Sequence, residues 1–371
     1  MTRLLREIEW QIQLYSIMGR IMITKNHSTY SLAIVSNSIS GGGAEKSMMA
    51  IHKSLIDSGV RSNLISLNMS PDPKTLPFVI ELKRKWKSGP ISTWINFLEF
   101  RKSIKIINPD ILILNCELPE FYGALLKFNG KIICVEHTTK PWAGKFLLGV
   151  LIRSILKIKR SEWVTVIDKQ RKVWMGGVVV AHLPNPYHDR LSKNRPTGQE
   201  STLTFIGGLK RNKHPEWVIE AGLELNLPVQ IFGDGVLRSE LENKYHKYSN
   251  QAKFFGFQSD PWNLISSKSL VIVPSEYEGD VLVVIEAAIS GNPLLLRDNE
   301  DLRRFGFNDK HYFKNLEDLI LIVKQNFGTR FQNLVVSPSK TSELLASRSL
   351  QKVTNEWLNL ILAQYHSIQP K

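Results

Sequence analysis

The 371-residue sequence has little cysteine, no long apolar run and, in its first half, little acid. Its two cysteines, Cys116 and Cys134, each lie inside an apolar stretch, at no metal-binding or redox spacing from each other. That excludes a disulfide framework and suits a reducing, cytoplasmic compartment. No segment reaches the ~20 uninterrupted apolar residues that a spanning helix needs, because Arg153 interrupts the run from Phe146 to Ile152. A basic start, apolar run and small-residue cleavage site do not occur in the order of a secretory leader, so the expectation is a protein neither exported nor integral.

Composition is otherwise ordinary: 43% hydrophobic and 22% charged residues place the chain among packed globular proteins. Its length exceeds what one hydrophobic core usually fills, which points to two domains. The net charge of +14 is unevenly spread, with 29 Lys/Arg against 15 Asp/Glu in residues 1–200 and 19 against 19 thereafter. Clusters at Lys83, Arg84, Lys85, Lys87 and at Arg153, Lys157, Lys159, Arg160 suit anionic lipid headgroups or a phosphorylated substrate, or form a solvated basic face. Nucleic acid is not expected as a partner, since no zinc-finger spacing, RNP-type aromatic signature or helix-turn-helix presents those charges.

Apolar strand-like runs alternate with amphipathic stretches, the pattern of α/β folds with helix-covered parallel sheets. Strands are expected at Ser31–Ser36, Ser62–Leu67, Ile111–Leu114, Lys131–Val135 and Trp163–Ile167. After a Pro- and Asn-rich break, a second set is expected at Thr202–Ile206, Val229–Phe232, Ala252–Phe255, Leu270–Val273 and Pro293–Leu296. Helices of the second half are placed at about Pro215–Leu225, Leu237–Tyr248, Asp260–Ser266 and Val281–Ser290. The expected organisation is an extra helix in 1–29, a first domain over 30–185, a linker over 186–200 and a second domain over 201–340. An amphipathic helix and tail over 341–371, with its helix at Ser342–Tyr365, would brace both domains.

Four stretches carry candidate chemistry. Ser40 to Glu45 contains Gly41, Gly42 and Gly43 and leads into a helix, where free amides attract phosphate oxygens, although a bare tight turn explains it equally well. The loop from Gly207 to Pro215 holds Lys210, Arg211 and Lys213, and fixed cations stabilise a departing diphosphate without a metal. Gly233-Asp234-Gly235 follows a strand, at the edge where open α/β sheets bind ligands. The most informative stretch is Ser275 to Gly291: a strand ends, a short acidic loop with Glu278 and Gly279 follows, and a helix begins near Asp280 or Val281. Glu286 then falls about a turn and a half into that helix. Its apolar neighbours require the carboxylate to have a partner, such as the paired hydroxyls of a sugar, while amides at Val281 and Leu282 suit phosphate.

The chain resembles the retaining GT-B glycosyltransferases of the glycogen-synthase-like family 4, also called glycosyl transferases group 1, from about Ser31 to Asp298. The resemblance rests on Glu278-Gly279 through Glu286, two glutamates separated by seven residues, followed by Ala287, Ala288, Gly291 and Pro293. Supporting matches are Gly42–Glu45, Glu136-His137, Pro184-Asn185-Pro186, the Lys213 loop, Gly233-Asp234-Gly235 and Phe255-Gly256. The resemblance implies two Rossmann-like domains facing each other across a cleft. It also implies that Glu286 binds the nucleotide ribose, that Glu278 lies near the transferred sugar and that Lys213 neutralises the donor diphosphate. Gly42 and Gly43 would stand at the facing loop, with His137 on the sugar and acceptor side. Two departures stand out: Gly208 replaces the arginine of the phosphate loop, leaving Lys210 or Arg211 to supply its charge, and Asn299 to Arg304 replaces a glycine-rich stretch.

The function so implied is transfer of a hexose from a UDP- or GDP-sugar to a glycan or lipid-linked glycan, with retention, in bacterial surface polysaccharide such as O-antigen, capsule or lipopolysaccharide. The donor is a substrate, and no cofactor is expected. With no Asp-x-Asp in the chain, activity without a divalent metal is expected. The basic first half would hold the protein peripherally on the inner face of the cytoplasmic membrane. A non-hydrolysing nucleotide-sugar epimerase and a non-catalytic sugar-nucleotide or glycan-binding protein are the alternatives.

Overall fold

The computed structural model describes residues 30–39, 42–69, 78–84, 89–138, 140–167, 176–187 and 201–368. The expected helix in 1–29, Gly41, Lys85, Lys87 and most of the expected linker over 186–200 lie outside them. The chain divides into two compact units. One ends at Pro186 and is completed by the segment from Arg348, and the other runs from Tyr187 to Ser347.

The first unit holds a seven-stranded sheet, every pair parallel, in the order β3-β2-β1-β4-β5-β6-β7. Its strands are β1 Ser31–Ser36, β2 Arg61–Asn68, β3 Val79–Arg84, β4 Ile111–Asn115, β5 Lys131–Glu136, β6 Glu162–Thr165 and β7 Val178–His182. Parallel pairing demands a crossover between strands, and helices covering both faces explain why β4 reads as an unbroken apolar run rather than an alternation. On one face, Phe97, Phe100, Tyr122, Ile152 and Leu156 pack under the helices Pro90–Ile107, Glu117–Leu125 and Phe146–Ile158. On the other, Met48, Ile51 and Leu55 of the helix Gly43–Asp57 meet Val353, Trp357 and Ile361 of the C-terminal helix Leu350–Ile368.

The second unit repeats the plan with six parallel strands in the order β10-β9-β8-β11-β12-β13. These are β8 Leu203–Ile206, β9 Val229–Phe232, β10 Ala252–Gly256, β11 Leu270–Val273, β12 Leu294–Arg297 and β13 Tyr312–Phe313. The helices Pro215–Glu224 and Leu316–Asn326 cover one face, and Leu282–Ile289 covers the other.

Every expected strand is present, and three further strands are found. β3 and β7 are edge strands of the first sheet, and β13, with two residues, shows no periodicity at all. The expected helix at Asp260–Ser266 is only a 3-10 turn, Pro261–Asn263, closed when the Asp260 carboxylate accepts from the Trp262 N–H at 3.2 Å. The expected terminal helix is two helices, Pro338–Arg348 and Leu350–Ile368, interrupted at Ser349. The first falls in the second unit up to Ser347, and the second is an integral layer of the first unit, tied to it where the Thr354 hydroxyl donates to Ser54 Oγ at 2.9 Å.

Trp357 is 1% exposed at the centre of that layer. Trp357→Ala is expected to destabilise the first unit by about 3–5 kcal/mol, seen as an earlier urea transition by far-UV circular dichroism. Leu321→Ala, on an exposed face of the second unit, should leave both transitions nearly unchanged.

Candidate active site

In the second unit, strand order reverses between β8 and β11, and the loops leaving the carboxyl ends of these strands diverge there. The loop after β8 is laced to the loop after β9 through main-chain hydrogen bonds. The Gly207 N–H donates to Phe232 O at 2.9 Å, Leu209 N–H to Asp234 O at 2.9 Å and Leu237 N–H to Leu209 O at 3.1 Å. So close an approach leaves no room for side chains. Gly233 has φ +136°, and a Cβ there would lie 1.8 Å from the Gly207 carbonyl oxygen, while one on Gly235 would lie 2.4 Å from that of Leu209. Both glycines therefore shape the cationic loop by backbone packing.

That loop continues as the 3-10 turn Arg211–Lys213, after which His214, in the left-handed conformation at φ 45°, and Pro215 open the next helix. The turn directs the Lys213 ammonium onto the carboxylate of Glu278, forming an ion pair. Lys210 and Arg211 remain exposed. The Lys210 chain passes over Gly208, its Cε 3.6 Å from where a Cβ on that glycine would stand. The stem of Lys210, two residues further along, thus crosses the space beside residue 208.

The loop after β11 is held from two sides. Glu276 N–H donates to Asn212 O, Asn299 Nδ2 donates to Ser275 O and Glu278 N–H donates to Asp301 Oδ2, each at 2.8 Å. Asn299 also caps the short helix Glu300–Arg303, its Oδ1 accepting from Leu302 N–H at 3.0 Å. The stretch from Asn299 to Arg304 therefore fixes the loop that carries Glu278. Glu278 is buried, and Lys213 is its ion-pair partner. Gly279 and Asp280 lead to Val281, the N-cap of the helix Leu282–Ile289, and no side chain caps that end. The Val284 N–H donates to Val281 O at 3.1 Å, which leaves the amides of Leu282 and Val283 to an anion. Glu286 lies one turn further on and is half-buried, its Oε2 accepting from Trp262 Nε1 at 2.9 Å. The buried Trp262 holds this carboxylate in one orientation.

Gly42, Gly43 and His137 belong to the first unit. Gly42 is the N-cap of the helix Gly43–Asp57, extended at φ −74°, and no side chain caps this helix either. His137 follows β5, with Nε2 2.5 Å from Asn115 Oδ1, while Asn115 Nδ2 donates to Ser36 Oγ at 3.1 Å. Because the amide oxygen accepts, Nε2 carries a proton in this contact. Asn115 and Ser36 end the two strands at which this sheet also reverses its order.

His137 borders a cavity of about 800 Å³ within this unit, lined also by Arg84, Trp94, Phe121, Trp142 and Leu148. On its wall Cys116 takes φ +79° and ψ −178°, a conformation that ordinarily belongs to glycine. Beneath lies a fully buried charge cluster. Arg153 Nη2 donates to Glu120 Oε1 at 2.9 Å and Nε to Glu120 Oε2 at 3.1 Å, while Nη1 pairs with Glu136, the residue before His137. Burial works against the Arg153 charge, but the two carboxylates outweigh it and raise its pKa. Trp142 Nε1 adds a hydrogen bond to Glu120 at 2.9 Å. Such a network, broken by loss of any member, makes the floor under His137 rigid.

The sequence motifs thus fall into two groups. In the second unit, Lys213 pairs with Glu278, and Gly279, Val281, Leu282 and Glu286 follow it into the helix Leu282–Ile289, while Gly233 and Gly235 shape the loop on which Lys210 and Arg211 are exposed. Trp262, Asn299 and Asp301 escape sequence reading. Asn299 before Glu300 and Asp301 has the composition of a helix start, the one signal that could have found it.

Residues 189–305 match the family model described as glycosyl transferases group 1. The chain is 26% identical over 297 residues to the GalNAc-alpha-(1->4)-GalNAc-alpha-(1->3)-diNAcBac-PP-undecaprenol alpha-1,4-N-acetyl-D-galactosaminyltransferase of Campylobacter jejuni, covering 73% of this chain and 79% of that enzyme. It is also 26% identical over 164 residues, 41% of each protein, to the UDP-Gal:alpha-D-GlcNAc-diphosphoundecaprenol alpha-1,3-galactosyltransferase of Escherichia coli. Among solved structures, sucrose-phosphate synthase from Thermosynechococcus elongatus is similar with a TM-score of 0.75 at 16% identity, over 91% of this chain and 100% of that one. HepE of Anabaena in complex with UDP and glucose gives 0.72 at 14% identity, over 90% and 99%. With its two parallel sheets, the chain has the GT-B fold and carries the glycosyl transferases group 1 domain.

Proposed function

We propose that this glycosyltransferase moves a hexose, with retention, from a UDP- or GDP-sugar to a lipid-linked glycan in bacterial surface polysaccharide synthesis, working peripherally at the inner face of the cytoplasmic membrane. The observation that carries the reading is the Lys213–Glu278 ion pair beside an uncapped helix start, with Glu286 one turn beyond.

Each group matches one part of a nucleotide diphosphate sugar. Leaving-group departure builds negative charge on the diphosphate, and a fixed ammonium with helix-start amides stabilises it without reorganising. Lys213 supplies that charge, and Lys210, whose side chain fills the space over Gly208, takes the place of the arginine missing there. Glu286, oriented by Trp262, accepts from the ribose hydroxyls. Glu278 lies beside the sugar, and the Lys213 ammonium, with three N–H donors, serves both this carboxylate and the diphosphate. In the first unit, His137 and the cavity beside it serve the acceptor.

Both curated relatives are named for α-linked products made on undecaprenyl diphosphate acceptors, which supports a lipid-linked acceptor here. Retention follows if the donor sugar is α-linked to its nucleotide, as in the usual UDP-hexoses. No covalent glycosyl-enzyme is invoked. Because Lys213 supplies the charge that a divalent ion would, no metal is required.

Glu278→Gln removes the carboxylate charge at nearly constant volume. It is expected to lower the transfer rate by about 10²-fold or more while the melting temperature stays close to wild type. The assay follows labelled hexose moving onto a lipid-linked acceptor, and wild-type turnover in the variant would remove Glu278 from the reaction. With donor alone, appearance of an epimerised nucleotide sugar would instead identify an epimerase. Transfer is further expected to survive excess EDTA unchanged, and a loss restored by manganese would contradict metal-free catalysis.

A further inference from the structure

We propose that the first unit docks on an anionic lipid bilayer through the outer faces of two helices, Pro90–Ile107 and Phe146–Ile158. The helix Phe146–Ile158 is apolar except at Arg153, Ser154 and Lys157. Its inner residues Gly149, Ile152 and Leu156 are buried in the core, yet its outer face exposes Phe146 and Leu151, with Leu147 at 81% and Ile158 at 82%. A helix on a water-facing surface carries polar residues there. The helix Pro90–Ile107 behaves alike: Phe97, Phe100 and Ile104 point inward, while Ile91, at 79%, Trp94, Ile95 and Leu98 are exposed.

The two faces belong together. Both helices lie on the same side of the first sheet and pack into the same core. Their first turns border the same cavity, where Trp94 and Leu148 are at once exposed and part of its lining. The apolar surface therefore runs from one helix to the other around the cavity mouth. So large an exposed patch marks an interaction site.

Charge selects the occupant. Residues 138–161 contain six Lys/Arg and no Asp or Glu; Arg153 is spent on the buried cluster with Glu120 and Glu136 and Lys159 on the carbonyls of Gly123 and Leu126, while Lys140, Lys145, Lys157 and Arg160 are exposed. Beyond Leu98, the helix Pro90–Ile107 turns basic with exposed Arg101, Lys102 and Lys105, against one acid, Glu99. An apolar face rimmed by cations is the composition of a surface resting in the headgroup layer. Protein interfaces, by contrast, are depleted in lysine. Among the described residues no helix is long and apolar enough to cross a membrane, so the contact is interfacial. A cavity opening within that contact receives a lipid-linked acceptor without extracting its chain from the bilayer. The docking deepens the peripheral membrane placement of the proposed function by naming the surface that makes the contact, and this last step rests on that function as a whole.

The test is flotation of the full chain with vesicles of phosphatidylglycerol and phosphatidylethanolamine, against vesicles of phosphatidylcholine alone, at low and high salt. The wild type is expected to float with the anionic vesicles, less but still measurably at high salt, and to stay behind with phosphatidylcholine. Leu147→Glu/Leu151→Glu/Ile158→Glu should weaken anionic-vesicle binding at least about tenfold while transfer to a short water-soluble acceptor is unchanged. Leu321→Glu in the second unit should bind as wild type. If the triple variant does not fold, Arg101→Glu/Lys102→Glu/Lys105→Glu carries the test, with a comparable loss expected at low salt. Undiminished flotation of a folded variant, or no flotation of the wild type, overturns the proposal. So does a wild-type dimer in sedimentation equilibrium that the triple variant breaks, which would make this face a contact between copies. Flotation is read without turnover, so failure of transfer with every nucleotide sugar would sink the function while leaving docking intact.

Discussion

Parallel pairing obliges every strand of a sheet to end on the same edge, and a sheet that grows in both directions from its first strand must part its loops there. Both sheets do so, beside β1 and β4 in the first unit and beside β8 and β11 in the second. The residues with chemical potential stand at these partings. His137 leans on Asn115 and Ser36 at one, and Lys213 meets Glu278 at the other. Helices covering both faces bury the strands, so the carboxyl edge is where polar side chains collect. The C-terminal helix, returning to cover a face of the first sheet, belongs to the same requirement.

Within the second unit, the electrostatics are arranged before any ligand arrives. Glu278 is buried, and a lone carboxylate there would be costly, but it is paired with Lys213, which remains partly open to solvent itself. Asn299 and Asp301 hold the loop from behind, and Trp262 orients Glu286. Rigid support of this kind means that a bound diphosphate meets donors already in place, which is the condition under which charge stabilisation is most effective. The glycines at 233 and 235 contribute by letting two loops touch through their backbones, a structural role that sets the path of the cationic loop.

Much of this was legible in the sequence because the motif from Ser275 to Gly291 is punctuated at every step. An apolar strand, an acidic loop with glycine and an apolar helix leave little choice of where Glu278 and Glu286 lie. The central strands were equally plain, since burial on both faces gives continuous apolar runs. Sequence fails where a role depends on distant partners. Trp262 reads as an ordinary core aromatic until its indole is found on Glu286, and Asp301 reads as a solvated helix-start acid until it is found on the Glu278 amide. β3 hides in a basic segment, β13 is two residues long, and the break at Ser349 leaves no mark in an amphipathic pattern that continues on both sides.

The central claim is that the Lys213–Glu278 pair is the diphosphate end of a sugar-nucleotide site. The most direct measurement is a crystal structure of the chain soaked with UDP or GDP. The expected result places the diphosphate within hydrogen-bonding distance of Lys213 Nζ and the amides at the start of the helix Leu282–Ile289, with ribose hydroxyls on Glu286. A nucleotide bound elsewhere, with Lys213 and Glu278 still paired and the helix start empty, would contradict it.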